Sequence, residues 1–283
     1  MRPEIMGILN VTEDSFSDGG QFTNPAAAIA HAETLIADGA TIIDIGGEST
    51  RPGAKRVTAE EECARVVATV EALKAHCADI STGTVKLSID TMRASTARAA
   101  LVAGADILND VSGGLADPEM YAVAAEYGVP IILMHWRADT FGNAAGVAHS
   151  TETVTADVIT GLTKVAEAAQ AAGITKSNII LDPGLGFAKD AACNWTLIQD
   201  FQALASLGYP MLIGHSRKRF LQATLNQPSP VDADYATATL SAMLYARYGA
   251  DDSLWGFRVH NVAATVSALR VVANMNNPEV ANG

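Results

Sequence analysis

Asp90, Asn109 and Asp182 each stand at the end of a short apolar run, and Lys218 follows another such run within Ser216-Arg217-Lys218-Arg219. Three short acceptor-bearing side chains suit a flat heterocycle rich in N–H groups. A lysine beside them can pair with a buried carboxylate and donate to a carbonyl oxygen of the ligand. Taken singly, each acid or amide is equally well an N-cap or a turn residue, and a basic triplet is ordinarily a solvated patch. Their shared position after apolar strands makes the set read as one ligand site. A carboxylate next to the Lys218 ammonium is expected to have its pKa lowered, which would leave Asp182 ionised.

Arg258 and His260, two residues apart, point the same way along a further run. With the helix N-terminus that begins near Asn261, they make an anion site. Asn10 opens the polar segment Val11-Thr12-Glu13-Asp14-Ser15-Phe16-Ser17-Asp18-Gly19-Gly20. It offers a neutral oxygen ligand that suits Mg²⁺ shared with a pyrophosphate, although a plain Asp/Ser/Gly-rich turn has the same composition. His135 and the cysteines Cys63, Cys77 and Cys193 read as structural, because no second ligand stands at metal spacing and no C-x-x-C occurs. Gly184-Leu185-Gly186 is too short for a dinucleotide fingerprint, so no nicotinamide site is assigned.

These residues need elements that bring strand ends together. Short β-rich runs near Ile5–Val11, Thr41–Gly46, Val85–Asp90, Asp106–Asp110, Pro130–His135, Asn178–Leu181, Pro210–Gly214 and Leu254–Val259 alternate with Ala-rich segments of helical period. The helices centre on Pro25–Ala37, Ala59–His76, Ala94–Ala103, Pro118–Tyr127, Thr151–Ala172, Ala191–Ser206, Ala233–Tyr248 and Val262–Ala273. Successive βα units in this number predict a closed (β/α)₈ TIM barrel rather than a doubly wound sheet. The polar clusters would then converge at the C-terminal mouth of the strands, where such barrels carry their active sites. One barrel domain is expected over 1–275 with a polar tail over 276–283, and Arg137–Ser150 is the longest unpatterned interior stretch.

The 283 residues match the usual length of one such barrel. With 49% hydrophobic and only 6% aromatic residues, the core must be built from Ala, Val, Ile and Leu. A formal net charge of −12 argues against a nucleic-acid backbone as partner, so an anionic ligand needs a local basic pocket. Three cysteines without a framework fit a reducing compartment. Met1–Gly7 lacks the layout of a signal peptide, and no apolar stretch is long enough to span a bilayer, so the expected location is the cytoplasm, with no membrane partner.

From Ile5 to about Ala273 the chain resembles the dihydropteroate synthase family, within the pterin-binding enzymes. Asn10-Val11-Thr12 with Asp14–Gly20 looks like the family's first signature, and Asp44-Ile45-Gly46-Gly47-Glu48-Ser49-Thr50-Arg51-Pro52-Gly53 like its second. Ser88–Thr91, Asn109–Gly114, Asp182–Phe187, Ser216-Arg217-Lys218 and Arg258-Val259-His260 follow in family order. The resemblance implies a transferase that condenses (7,8-dihydropterin-6-yl)methyl diphosphate with p-aminobenzoate to give dihydropteroate and diphosphate. It implies that Asp90, Asn109, Asp182 and Lys218 hold the pterin, with Arg258 stacking over it and Met134 lining the pocket. Asn10, Arg258 and His260 would hold the pyrophosphate and its Mg²⁺, which gives Lys218, Arg258 and His260 the catalytic roles. Thr50, Arg51, Pro52, Phe187, Ser216 and Lys218 would border p-aminobenzoate, the position that sulfonamides imitate. A homodimer is implied as well.

Two positions depart from the usual family pattern: Glu13 stands where proline is common, and Asn261 where aspartate is common. Asn261 can still cap the last helix while withdrawing a negative charge from the anion site. Two other readings share the pterin pocket. One is a corrinoid-linked methyltransferase domain, which would not need the Ser-Arg-Lys and Arg-x-His clusters; the other is a non-catalytic pterin-binding paralogue.

Overall fold

Runs such as Ile42-Ile43-Asp44-Ile45-Gly46 and Ile179-Ile180-Leu181-Asp182 are buried on both faces, as expected of parallel strands sheathed by helices. In the computed structural model, which describes residues 2–12, 25–48, 57–136, 149–225, 229–250 and 252–276, they close a parallel barrel in the order β1 to β8. The strands are β1 (Glu4–Asn10), β2 (Ile42–Gly46), β3 (Lys86–Asp90), β4 (Ile107–Asp110), β5 (Ile131–Met134), β6 (Ile179–Asp182), β7 (Met211–Ile213) and β8 (Leu254–Val259). Pairing of Met6 with Arg258 closes β1 onto β8. The principal helices are α1 (Pro25–Ala37), α2 (Ala59–His76), α3 (Ala94–Ala103), α4 (Met120–Tyr127), α5 (Val154–Ala171), α6 (Ala191–Gln199), α7 (Pro230–Tyr248) and α8 (Val262–Asn276).

Local sequence accounts for the helix starts. Thr58 and Glu61 form a capping box on α2, and Ser229 with Asp232 forms another on α7, ahead of Pro230 in its first turn. Asp190 accepts the Cys193 N–H at the start of α6, and Asn261 Oδ1 accepts Ala264 N–H at 2.9 Å at the start of α8. The expected helix Ala191–Ser206 is broken at Asp200, which ends α6 and precedes a second helix, Phe201–Ala205. Short helices at Ala78–Ser81 and Arg219–Gln222 were not anticipated, since one turn carries no readable period.

Inside the barrel, Met6, Ile42, Ile107, Ile132, Ile180 and Leu212 form an apolar plug. Side chains alternate along a strand, so the residues two places further on also point inward. These are Ile8, Asp44, Asn109, Met134 and Asp182, with Gly214 leaving a gap at the sixth place. The plug thus forms the floor of a polar chamber that opens at the strand C-termini. β6 runs one residue further than expected, so the Met134–Asp182 pairing lets the sheet itself aim Asp182. Among the described residues no helix is long and apolar enough to cross a membrane, and all three cysteines are free.

Candidate functional site at the barrel mouth

Strand register sets the mouth. Asn10 pairs with Gly46, Gly46 with Asp90 and Asp90 with Asn109, so one row crosses four strands at their ends. Arg258 reaches into this row from β8, on the other side of β1. Its Nε donates to Asp44 Oδ2 at 2.6 Å and its Nη2 to Asp90 Oδ2 at 2.7 Å. Asn109 Nδ2 donates to the same Asp44 oxygen at 3.1 Å. Asp44 has no solvent exposure, so the forked guanidinium is its counter-ion in a dry setting. Burial opposes the charge on Arg258, but Asp44 and Asp90 outweigh it, and the guanidinium pKa lies above its ordinary value. Burial pushes Asp90 up to about 7, against the pull of Arg258 and with a further push from Asp44.

Across the chamber, Asp182 Oδ1 accepts the Gly184 N–H at 2.7 Å. Gly214 leaves room beside Oδ2, since a Cβ there would lie 3.2 Å from it. Lys218 Nζ sits 4.0 Å above the Phe187 ring, a cation–π contact, and a Cβ on Gly186 would come within 2.8 Å of the Lys218 stem. Burial and Arg258 push Lys218 down to about 8, while Asp182 and Asp90 oppose the shift. Asp182 departs from expectation. Burial raises its pKa, and the Gly184 N–H, Lys218, Lys189 and Arg258 only moderate that rise. Desolvation is the larger effect because Asp182 is only 6% exposed.

Ser216 and His260 join at the β7 and β8 ends: Ser216 Oγ lies 3.0 Å from His260 Nδ1 and accepts the His260 N–H at 3.1 Å. The basic triplet divides its roles. Arg217 makes a two-pronged pair with Asp234 on α7 at 2.7 and 2.8 Å, while Lys218 turns into the chamber. Asn261 Nδ2 donates to the same Asp234 at 3.2 Å. An aspartate at 261 would set two carboxylates against each other there, so the departure at this position suits its own surroundings. Met134 joins Met92, Val111 and Trp136, with Phe187 against them, as an apolar wall.

The expected residues Asn10, Asp90, Asn109, Met134, Asp182, Phe187, Ser216, Lys218, Arg258 and His260 therefore all lie at the mouth. Thr50, Arg51 and Pro52, together with Glu13 and the 14–20 segment, lie outside the described residues. His135 is buried, with its Nδ1 3.3 Å from Lys189 Nζ. Sequence reasoning missed Asp44 as a site residue. Its signal was present, since a charge between Ile43 and Ile45 must face the barrel interior. Lys189 was missed as well, and a lysine after a glycine-rich turn carries no sign of burial. Among the described residues no group of three or more His, Cys, Asp or Glu could hold a metal. Asn10 Oδ1 lies beside Gly46, 3.4 Å from where a Cβ there would stand, and one neutral oxygen fits a hard cation that takes its remaining ligands from phosphate and water.

A mouth with inward carboxylates, a buried ammonium and a forked guanidinium can hold a planar N–H-rich ring on one side and an anion on the other. The model of the family described as pterin binding enzyme matches residues 6–260. The dihydropteroate synthase of Mycobacterium leprae is 44% identical over 277 residues, covering 95% of this chain and 92% of that protein. The dihydropteroate synthase of a Streptococcus pyogenes serotype M6 strain is 46% identical over 272 residues, covering 96% and 95%. The Xanthomonas albilineans dihydropteroate synthase solved with 4-aminobenzoic acid superposes with a TM-score of 0.85 at 39% identity, covering 98% of this chain and 94% of that one.

Proposed function

Because the chain belongs to the pterin-binding enzyme family, we infer that it is a transferase with dihydropteroate synthase activity. It joins (7,8-dihydropterin-6-yl)methyl diphosphate to p-aminobenzoate and releases diphosphate. The observation that carries this reading is the convergence of Asp90, Asn109, Asp182, Lys218 and Arg258 in one chamber, with Ser216 and His260 at its rim. The same rim clusters disfavour a methyltransferase domain, which has no use for them. The direct test is product formation from the two substrates with Mg²⁺; no dihydropteroate from folded protein would overturn the reading.

In the proposed roles, the carboxylates and Asn109 accept from the ring's amino and N–H groups, and Lys218 donates to its carbonyl oxygen. Arg258 borders the ring and, with His260, receives the leaving pyrophosphate. As the C–O bond breaks, both electrons leave with the pyrophosphate and the pterin methylene becomes cationic. Asp90 and Asp182 favour that charge, the amine nitrogen of p-aminobenzoate forms the new C–N bond, and the proton it then sheds passes to solvent water. Positioning supplies what the uncharged amine needs. Mg²⁺, bound through Asn10 and the diphosphate, would neutralise oxygen charge on the leaving group.

We propose that p-aminobenzoate lies beside Phe187, Ser216 and Lys218, and the family resemblance adds Thr50, Arg51 and Pro52 to its contacts. Sulfonamides, whose ring and sulfonyl group imitate that acceptor, are therefore expected to raise its apparent KM without changing kcat. A pattern competitive with the pterin substrate instead would move the acceptor site.

The protein is proposed to act in the cytoplasm as a homodimer, with residues 1–275 as its one domain. Tyr235 and Met243 on α7 and Val271 and Met275 on α8 are large, apolar and exposed on adjacent helices, a feature that often marks an interface. Sedimentation should give a dimer, and Met243→Glu with Val271→Glu should give monomers. A parent that sediments as a monomer would remove the dimer.

A further inference from the structure

Lys189 carries its charge inward. The residue is 7% exposed, a position that lysine takes only when its ammonium is matched. An ammonium has three hydrogens, and this one faces three acceptors: Gly184 O at 3.0 Å, Phe187 O at 3.1 Å and His135 Nδ1 at 3.3 Å. Two belong to the turn after β6 and the third to the segment after β5, so no hydrogen is left over for a ligand.

The turn held in this way orients the pterin chamber. Gly184 is fixed from both sides, its N–H by Asp182 Oδ1 and its carbonyl by Lys189. It has a φ of +69°, and a Cβ there would sit 2.4 Å from the His135 carbonyl oxygen, so only glycine fits. Phe187, whose carbonyl takes the second hydrogen, presents the ring that lies beneath Lys218. One buried ammonium therefore braces both the main chain that aims Asp182 and the aromatic floor under Lys218.

We propose that Lys189 is a positioning residue of the pterin site, which locks the β6 turn and supplies a second positive charge beside Asp182. This rests on the reading of Asp182 as an acceptor for the pterin ring. The electrostatics agree: Asp182 responds to Lys189 as well as to Lys218 and Arg258. Burial pushes Lys189 itself down to about 7, against Asp182 and Cys193 and together with Lys218. His135, backed by the His149 ring at 5.4 Å, faces it from the β5 side. Asp190 caps α6 through Cys193 on the other.

Lys189→Gln tests the charge, because an amide can still donate to both turn carbonyls. Binding of dihydropterin pyrophosphate is followed by calorimetry from about pH 5.5 to 8. Without the second charge Asp182 should protonate more readily, so the acid limb of the affinity profile moves up by about one pH unit. On the acid side of that limb, where the carboxyl is already largely protonated, this is an affinity loss of up to about tenfold. Binding of inorganic pyrophosphate alone should stay within about twofold, because its ligands lie at β1 and β8. Lys189→Arg, which keeps the charge, should restore the acid limb. Lys189→Met, which removes brace and charge together, should weaken pterin binding at every pH; if it does not fold, Lys189→Gln still decides. A Lys189→Gln variant that follows the parent's affinity and pH dependence overturns the assignment. So does one that loses pyrophosphate and pterin equally, since that would be general damage. A parent chain that binds no pterin overturns the functional reading instead.

Discussion

Replacing Arg258 with alanine should lower the melting temperature, abolish most product formation and weaken pyrophosphate binding together, because this guanidinium serves the fold and the site at once. Its Nε and Nη2 are the cationic partners of Asp44 and Asp90. Asp44 has no solvent exposure and would keep only the Asn109 amide on Oδ2, with Oδ1 already unpartnered. Breaking a buried pair by removing one partner typically costs about 3–5 kcal/mol. Since the Arg258 side chain is 22% exposed toward the mouth, the lower end of about 3 kcal/mol is expected. For a chain of 283 residues that is a fall of roughly 5 °C in calorimetry.

The effect on function has two parts. Pyrophosphate loses its guanidinium, for which about tenfold or more in affinity is expected. Asp90 also loses the one charge among its main influences that holds its pKa down, so it becomes neutral at pH 7 and gives up an acceptor for the ring. Arg258→Lys keeps the charge without the fork and should recover part of the stability but little of the activity. An alanine variant with parental melting temperature and parental pyrophosphate affinity would contradict both roles.

Asp182→Asn should cost pterin affinity about tenfold or more while sparing pyrophosphate binding. The geometry leaves the amide no favourable choice. Oδ1 accepts the Gly184 N–H at 2.7 Å, so the asparagine oxygen is held there and its NH₂ must face the N–H groups of the ring. A buried donor against a donor typically costs about 1–3 kcal/mol.

The pH dependence provides a second check. The folded Asp182 pKa lies above the ordinary carboxylate value, so the parent should lose pterin affinity as pH falls through that raised pKa. Lys218 is pushed down to about 8, so affinity should also fall as pH rises through about 8 and the ammonium is lost. The parent profile is thus bell-shaped. Asp182→Asn should remove the Asp182 contribution to the acid limb and keep the alkaline one. A folded Asn variant with parental affinity would remove Asp182 from ring recognition.

The alternation of strand and helix, and the polar residue closing each strand, were legible because both are local and periodic. Period 2 dictates that Ile42 and Asp44, Ile107 and Asn109, or Ile180 and Asp182 share a face, and apolar flanks dictate that this face is buried. The cap at Asn261 was legible too, since it satisfies an N–H within its own first turn. From such features the barrel, its mouth and the polar residues that line it could be read in chain order.

Only the closed barrel decided how those residues share charge. No spacing rule links position 258 to positions 44 and 90; barrel closure and register make them one ion-pair group. The pKa of Asp182 was expected below the ordinary value from its lysine neighbour, yet it lies above it, because depth of burial is a property of the assembled chamber. Lys189 and the Asn261–Asp234 pair were hidden for the same reason. Sequence determines which groups a strand end carries, by sterics and periodicity over a few residues. Tertiary structure determines which are desolvated and which charges lie beside them, because electrostatic energy depends on distances and dielectric that exist only once the barrel has closed.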